Sequence, residues 1–202
     1  MTQNPSSSTE STPSPTGRSS RRHVGTDIAL IAGFAAFLAV CAQFALPFGV
    51  NGVPFSLQPL AVLLTGAVLG SRRGALAVLL YLAIGAIGFP VFANGTGGLG
   101  PFSGPTVGYL ISFPIAAFII GFAVERAGVR QRPAAILVGG LLAVATTWLI
   151  GAAGVAAVVG TAYGPTLKAT AVYLPGDLLK LAVAGVIALA VHRAFPLLLD
   201  RR

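Results

Sequence analysis

Acidic residues are scarce: five Asp and Glu in 202 residues, with charged residues of both signs making up only 9% of the chain. A soluble globular domain carries roughly 25%. So few charges would leave the exterior of a water-soluble fold almost wholly apolar, which excludes that class. A disordered chain is excluded for the opposite reason, because 55% of the residues are hydrophobic and disorder requires low hydrophobicity with high charge. Cysteine is limited to Cys41, which removes an internal disulfide framework and any CxxC metal or redox site. Histidine is limited to His23 and His192, and no HExxH occurs, so no metal site is expected. What remains is an integral membrane protein.

The charges that exist are segregated. Uncharged stretches run over 28–71, 74–124 and 133–167, and a last apolar run over 171–192 holds only Asp177 and Lys180. A membrane-spanning helix needs about 20 apolar residues to cross ~30 Å of hydrocarbon. The first stretch therefore holds two helices around the breaker 47–54 (PFGVNGVP), and the second holds two around the Gly/Pro-rich loop 90–105. The third holds one span near 134–160 and the last run the sixth. These segments are apolar all round, whereas barrel strands alternate apolar and polar residues. The expected fold is an all-α integral membrane protein with six transmembrane helices.

Six spans put both termini on one side. Arg18, Arg21 and Arg22, the turn Arg72–Arg73, the loop Arg126, Arg130 and Arg132, and Arg193, Arg201 and Arg202 then share one face. Positive residues stay cytoplasmic, so both termini are expected there, in a multi-pass protein of the cell (plasma) membrane. The formal charge of +8 is thus a topology signal for a partner bilayer, and nucleic acid is not an expected partner. Residues 1–25 are Ser/Thr/Pro-rich and are expected to form a disordered cytoplasmic tail. They lack the apolar region and cleavage site of a signal peptide. Thr26 is the expected N-cap of the first helix, with Asp27 favourable to its dipole.

Several motifs carry less than they suggest. Gly95–Gly100 (GTGGLG) fits GxGxxG, yet Pro101 follows at once and no acid lies near position 120, so the dinucleotide reading fails. No phosphate-binding Lys follows a glycine-rich loop. His23 and His192 are read as solvated interfacial residues. Gly66, Gly70 and Gly74 recur at spacing four, as do the pairs Ala32–Ala36 and Ala35–Ala39. Such spacing lets membrane helices approach closely. For the glycines, packing inside the bundle is favoured. For the alanines, an outward stripe that docks a partner helix is an equal reading.

The informative segment is 171–180 (AVYLPGDLLK). Pro175 suits a first helical turn, so the last helix begins near Leu174 and ends at Arg193. Asp177 and Lys180 then lie one turn in from the outer end on one face, with Tyr173 on the same stripe. Charges at membrane depth are costly unless paired or wet, and mark pathways or ligand sites; a structural ion pair is the competing reading. A proton relay would need further ionisable groups deeper in the bundle. The outer loop 89–108 is uncharged and longer than a tight connection needs, as lids and binding loops are. Asn94, Thr96, Ser103 and Thr106 there, with Gln58 beyond the first breaker, offer neutral hydrogen bonds around a polar cup.

VPFSLQPLAVLLTGAVLGSRRGALAVLLYLAIGAIGFPVF (53–92), GPTVGYL (104–110) and PGDLLK (175–180) together closely resemble the BioY family, the biotin-binding S components of energy-coupling-factor vitamin transporters. The resemblance spans most of 27–195. Ser56 departs from a frequent Thr and Val107 from a frequent Gly. It implies that 26–202 form a six-helix substrate-binding domain with a biotin pocket near the outer face, lined by Asp177, Lys180 and Asn94. Phe92, Tyr81 and Tyr109 are candidates for an aromatic wall, and Gln58 and Tyr173 complete the expected site. Which end of biotin meets Lys180 stays open. The resemblance also implies a transmembrane coupling subunit and two ATPase subunits, docking partly on the small-residue face of helix 1 (Ala32, Ala35, Ala36, Ala39). No cofactor and no enzymatic activity of the chain itself are implied. The competing readings are an S component for another small vitamin, a self-sufficient secondary transporter, and an intramembrane enzyme.

Overall fold

A computed structural model describes residues 16–46, 49–196 and 199. Helix α1 (Thr16–Gln43) starts ahead of the expected cap, so Thr26 lies inside it. Positions 16–25 are thus helical where a disordered tail was expected, and residues 1–15 of that tail lie outside the described residues. Asp27 acts in tertiary structure as well: its Oδ1 accepts from Arg73 Nη1 at 3.2 Å, joining α1 to a later helix.

The segments on either side of the first breaker pair with each other. Strands β1 (Ala45–Leu46) and β2 (Phe55–Ser56) pair antiparallel, Ala45 opposite Ser56 and Leu46 opposite Phe55. Two helices follow, α2 (Gln58–Leu69) and α3 (Ser71–Ala86), parted by Gly70 at φ 84°. That conformation strains any L side chain, and a Cβ there would also overlap the Glu125 carboxylate. Glu125 accepts from Ser71 N–H (3.0 Å) and Ser71 Oγ–H (2.7 Å), which satisfies an amide at the start of α3. At Gly74 an added Cβ would lie 2.9 Å from Gly66 Cα, so the glycine ladder serves packing.

The second loop has structure of its own, a 3-10 turn at Ala93–Gly95 and a one-turn helix α4 (Gly100–Ser103). The GxGxxG look-alike lies within this loop and binds no strand to a long helix. Helices α5 (Val107–Arg126) and α6 (Arg132–Val159) form the most extensive pair. A short helix α7 (Tyr163–Thr170) and a 3-10 turn (Ala171–Tyr173) then lead into α8 (Leu174–Ala194). The start of α8 agrees with the expectation from Pro175. Helix α7 was not anticipated: with Thr161, Gly164, Pro165 and Lys168 the segment reads as a connection. It is held by tertiary contacts, Trp148 Nε1 donating to Thr170 Oγ1 at 3.2 Å.

Among the described residues, four helical stretches are long and apolar enough to cross a membrane: Val24–Gln43, Val107–Arg126, Val129–Val159 and Tyr163–Ala194. Helix α2 has 12 residues and α3 has 16, rising about 18 and 24 Å at 1.5 Å per residue, short of ~30 Å. Helices stand at all six expected places, but among the described residues six full-length spans are not reached. Cross-links sort the molecule into two ends. Asp27–Arg73, Ser71–Glu125 and His192–Ala67 lie at the Arg-rich end; Gln43 donating to the Phe92 carbonyl (3.4 Å) and Tyr173 bonding Val50 lie at the other. His192 corrects an expectation. It is buried, 4% exposed, with Nε2 2.9 Å from the Ala67 carbonyl; a backbone partner 125 residues away leaves no mark in the sequence. The side chain of His23 lies outside the described residues.

Candidate ligand-binding site

At the end opposite the arginines, two adjoining chambers open between the bundle and the loops. The inner one, about 40 Å³, is bounded by Val53 and Ser56 from the hairpin, Tyr109 and Phe113 from α5, and Tyr173, Asp177 and Lys180. The outer one, about 400 Å³, lies under the second loop and includes Phe92, Asn94, Thr96 and Pro101. Pro54, Gln58, Thr106 and Leu110 line both, so the chambers share a wall. The outer volume falls within the roughly 300–1,000 Å³ typical of small-molecule pockets.

Asp177 and Lys180 come from the first two turns of α8. One turn of helix puts them on one side, and Lys180 Nζ lies 2.9 Å from Asp177 Oδ1. Both are largely buried, with side chains 12% and 15% exposed respectively. Among the described residues, only Lys180 donates to Asp177. The pair lines the inner chamber and is not sealed off from it. It is charge-neutral as a unit, yet retains acceptor capacity on the carboxylate and donor capacity on the ammonium.

The aromatic and amide residues are held by other contacts. Tyr173 Oη accepts from Val50 N–H at 2.8 Å and donates to the Val53 carbonyl. This clamps the turn between β1 and β2 over the inner chamber, and the Tyr173 ring packs on Phe55 (4.5 Å between centroids) and Tyr109 (6.3 Å). The Tyr109 hydroxyl is buried without a hydrogen bond of good geometry, with only a looser approach to Thr170. Gln58 Nε2 donates to Tyr81 Oη (2.6 Å) while its Oε1 accepts from Ser56 Oγ (3.1 Å). Phe92, 2% exposed, stands edge-on to Tyr81 (5.4 Å) and Phe102 (5.6 Å). Gly85 makes room for that ring, since a Cβ there would collide with it. Asn94 sits at φ 58° in its turn, a conformation asparagine tolerates better than most residues, and reaches the outer chamber.

The fold thus gathers all seven expected site residues. Gln58, Tyr109, Tyr173, Asp177 and Lys180 meet at the inner chamber; Phe92 and Asn94 join Gln58 at the outer. Tyr81 sits behind Gln58 as its hydrogen-bond partner. The sequence reading missed Phe113 and Leu110. Phe113 follows Tyr109 by four residues, a helical spacing that places both on one face, and that was the available signal. The alanine stripe of α1 lies elsewhere and splits. Ala32 and Ala36 are exposed, but Ala35 is 2% exposed and Ala39 packs against the core. Ala35 and Ala39 therefore do not form an outward docking pair, because the 3.6-residue period carries them onto the inner side.

The model of the BioY family matches residues 12–197. The chain belongs to the BioY family. Among its BioY relatives, the biotin transporter BioY of Rhodobacter capsulatus is 42% identical over 183 residues, covering 84% of this chain and 95% of the relative. The probable biotin transporter BioY of Pyrococcus horikoshii is 40% identical, covering 80% and 93%. The biotin transporter BioY of Thermotoga maritima is 37% identical, covering 79% and 92%. The crystal structure of the S-component for biotin from an ECF-type ABC transporter superposes with a TM-score of 0.76 at 24% identity, covering 89% of this chain and 95% of that one. At that identity the superposition speaks for the fold. Multiple apolar helices and BioY membership make this a multi-pass membrane protein.

Proposed function

We propose that the chain captures biotin at its loop-covered end and delivers it for import as the substrate-binding S component of an ECF-type transporter. The observation that carries this reading is the Asp177–Lys180 pair on the wall of the inner chamber, in a chain whose BioY relatives are named biotin transporters. Biotin's ureido ring presents N–H donors beside a carbonyl acceptor, and the pair presents an acceptor beside a donor. The neutral ureido head suits the inner chamber better than the valerate carboxylate does, since a second anion beside Asp177 would compete with it for one ammonium. The valeryl chain then runs into the outer chamber past Phe92, and Asn94 offers its free amide there. Tyr173 holds the hairpin turn over the head group, and Tyr109 supplies a ring and a buried hydroxyl.

In this reading α2 and α3 complete a six-pass fold whose Arg-rich end, and with it both termini, is cytoplasmic by the positive-inside rule, in the plasma membrane. The chain binds and releases without a cofactor. A transmembrane coupling subunit and two ATPase subunits supply the energy, and exposed Ala32 and Ala36 on α1 offer a surface for helix docking. Purified chain is expected to retain biotin saturably without ATP. Biotin amidated at the carboxylate should bind comparably, whereas an analogue lacking the ureido carbonyl should not. Absence of saturable biotin binding would refute the reading, and saturable binding of a different vitamin in its place would redirect it to another S component.

A further inference from the structure

Beside the inner chamber, helices α2, α5, α6 and α8 leave a further cavity of about 10 Å³. Its walls are apolar, Val62, Leu63, Ala116 and Val144 among them, except at Thr147 and Asp177. Asp177 lines the inner chamber as well, so it stands between the two spaces. Thr147 is 7% exposed, and its hydroxyl makes no hydrogen bond among the described residues. Every other buried serine or threonine there has a partner. Thr65, Ser112, Thr166 and Thr170 donate to carbonyls of their own helices, and Ser71 donates to Glu125. The Asp177 carboxylate is half satisfied: Oδ1 accepts from Lys180, and Oδ2 meets no donor among the described residues. A buried hydroxyl and a buried carboxylate oxygen are both costly without partners. Here both belong to residues on the wall of one small cavity.

We propose that this cavity holds one buried water that bridges Thr147 and Asp177, and that Thr147 is thereby a positioning residue for ligand capture. The water accepts from the Thr147 hydroxyl and donates to Asp177 Oδ2. A buried water needs a cavity of about 10–15 Å³ and two to four polar partners; the space and the two residues meet that requirement and leave no room for part of a ligand. A metal cation would need several oxygen ligands, and the remaining walls are apolar. A carboxylate has about four acceptor sites, so Lys180 and the water fix its plane and leave acceptor capacity toward the inner chamber. Among the described residues, α6 contributes no side chain to either chamber, so the water is its route to the site. The positioning role rests on the biotin reading; the water itself does not.

The test begins with an experimental structure of the ligand-free full chain at a resolution that shows buried waters. A water within hydrogen-bond distance of both Thr147 Oγ1 and an Asp177 carboxylate oxygen is expected. An empty cavity, a direct Thr147–Asp177 bond, or Thr147 turned onto the Ala143 carbonyl overturns the proposal. Biotin affinity of the purified chain then measures the positioning role. Thr147→Val should weaken binding about five- to ten-fold, the scale of one hydrogen bond, while Thr147→Ser stays within about two-fold of the parent. In an Asp177→Ala background Thr147→Val should add less than about two-fold, because its effect runs through the carboxylate. Equal losses in both backgrounds, as a general packing defect would give, overturn the role, and so does parental affinity in Thr147→Val. If Thr147→Val is not monodisperse, Thr147→Ala carries the same comparison. A parent chain that binds no biotin defeats the functional reading and the positioning role with it, while the ligand-free structure still decides the water site.

Discussion

Asp177 is expensive where it stands, and that expense defines its use. A carboxylate at the centre of a membrane helix costs about 3 kcal/mol on insertion scales; in the first turn of α8 the cost is smaller, and Lys180 at 2.9 Å offsets it. Asp177→Asn removes the charge but keeps the shape. It is expected to weaken biotin binding about ten- to hundred-fold, the scale of a lost charge-assisted hydrogen bond, with membrane insertion and yield unchanged. Equilibrium binding and expression measured together check this; parallel loss of both would mark a merely structural pair. Tyr173→Phe keeps the ring against Phe55 and Tyr109 but releases Val50 and Val53. Biotin dissociation should accelerate about five- to thirty-fold, the scale of one to two hydrogen bonds, with association little changed, in a stopped-flow displacement assay.

Elements are shaped at the points where backbones meet closely. Gly85→Leu would drive a side chain into the Phe92 ring and so push the second loop off the outer chamber. We expect a loss of biotin affinity and a drop of about 1–3 kcal/mol in stability from overpacking, read by binding and by denaturant titration. Helix α1 shows how one periodic pattern divides between two tasks. Ala35 packs inside, whereas Ala32 and Ala36 face outward. Ala32→Leu with Ala36→Leu should therefore impair biotin uptake by cells more than biotin binding by purified protein. Unchanged uptake would exclude this face from docking. The spacing of the alanines was legible in the sequence; which pair faces outward depended on the rotation of α1 against α3 and α2.

On the scale of the whole molecule, the ends divide the labour: the two chambers lie at one, the arginines at the other. Ligand that binds only the folded state stabilises it by about 2.7 kcal/mol at a hundred-fold excess over Kd. Biotin should accordingly raise the melting temperature of the purified chain, and Asp177→Asn should cut the stabilisation to about 0.4–1.4 kcal/mol at the same concentration. Thermal unfolding monitored in detergent provides the measurement.

Composition alone decided the solvent, because so few charges permit only a bilayer, and the long uncharged runs with their breakers located the helices. Pro175 marked the start of α8 and the three-residue spacing of Asp177 and Lys180 put them on one face, since both are local facts of helix geometry. The short lengths of α2 and α3, the helix α7, and the burial of Arg132 and His192 were not legible. Each is settled by a contact between distant parts of the chain, such as Glu125 at Ser71, Trp148 at Thr170 or Ala67 at His192. The site followed the same division. Its residue types could be read from the chain, but only tertiary structure separated inner from outer chamber and bound Gln58 to Tyr81 and Tyr173 to the hairpin. Periodicity says which side of a helix a residue occupies, and packing alone decides what that side meets.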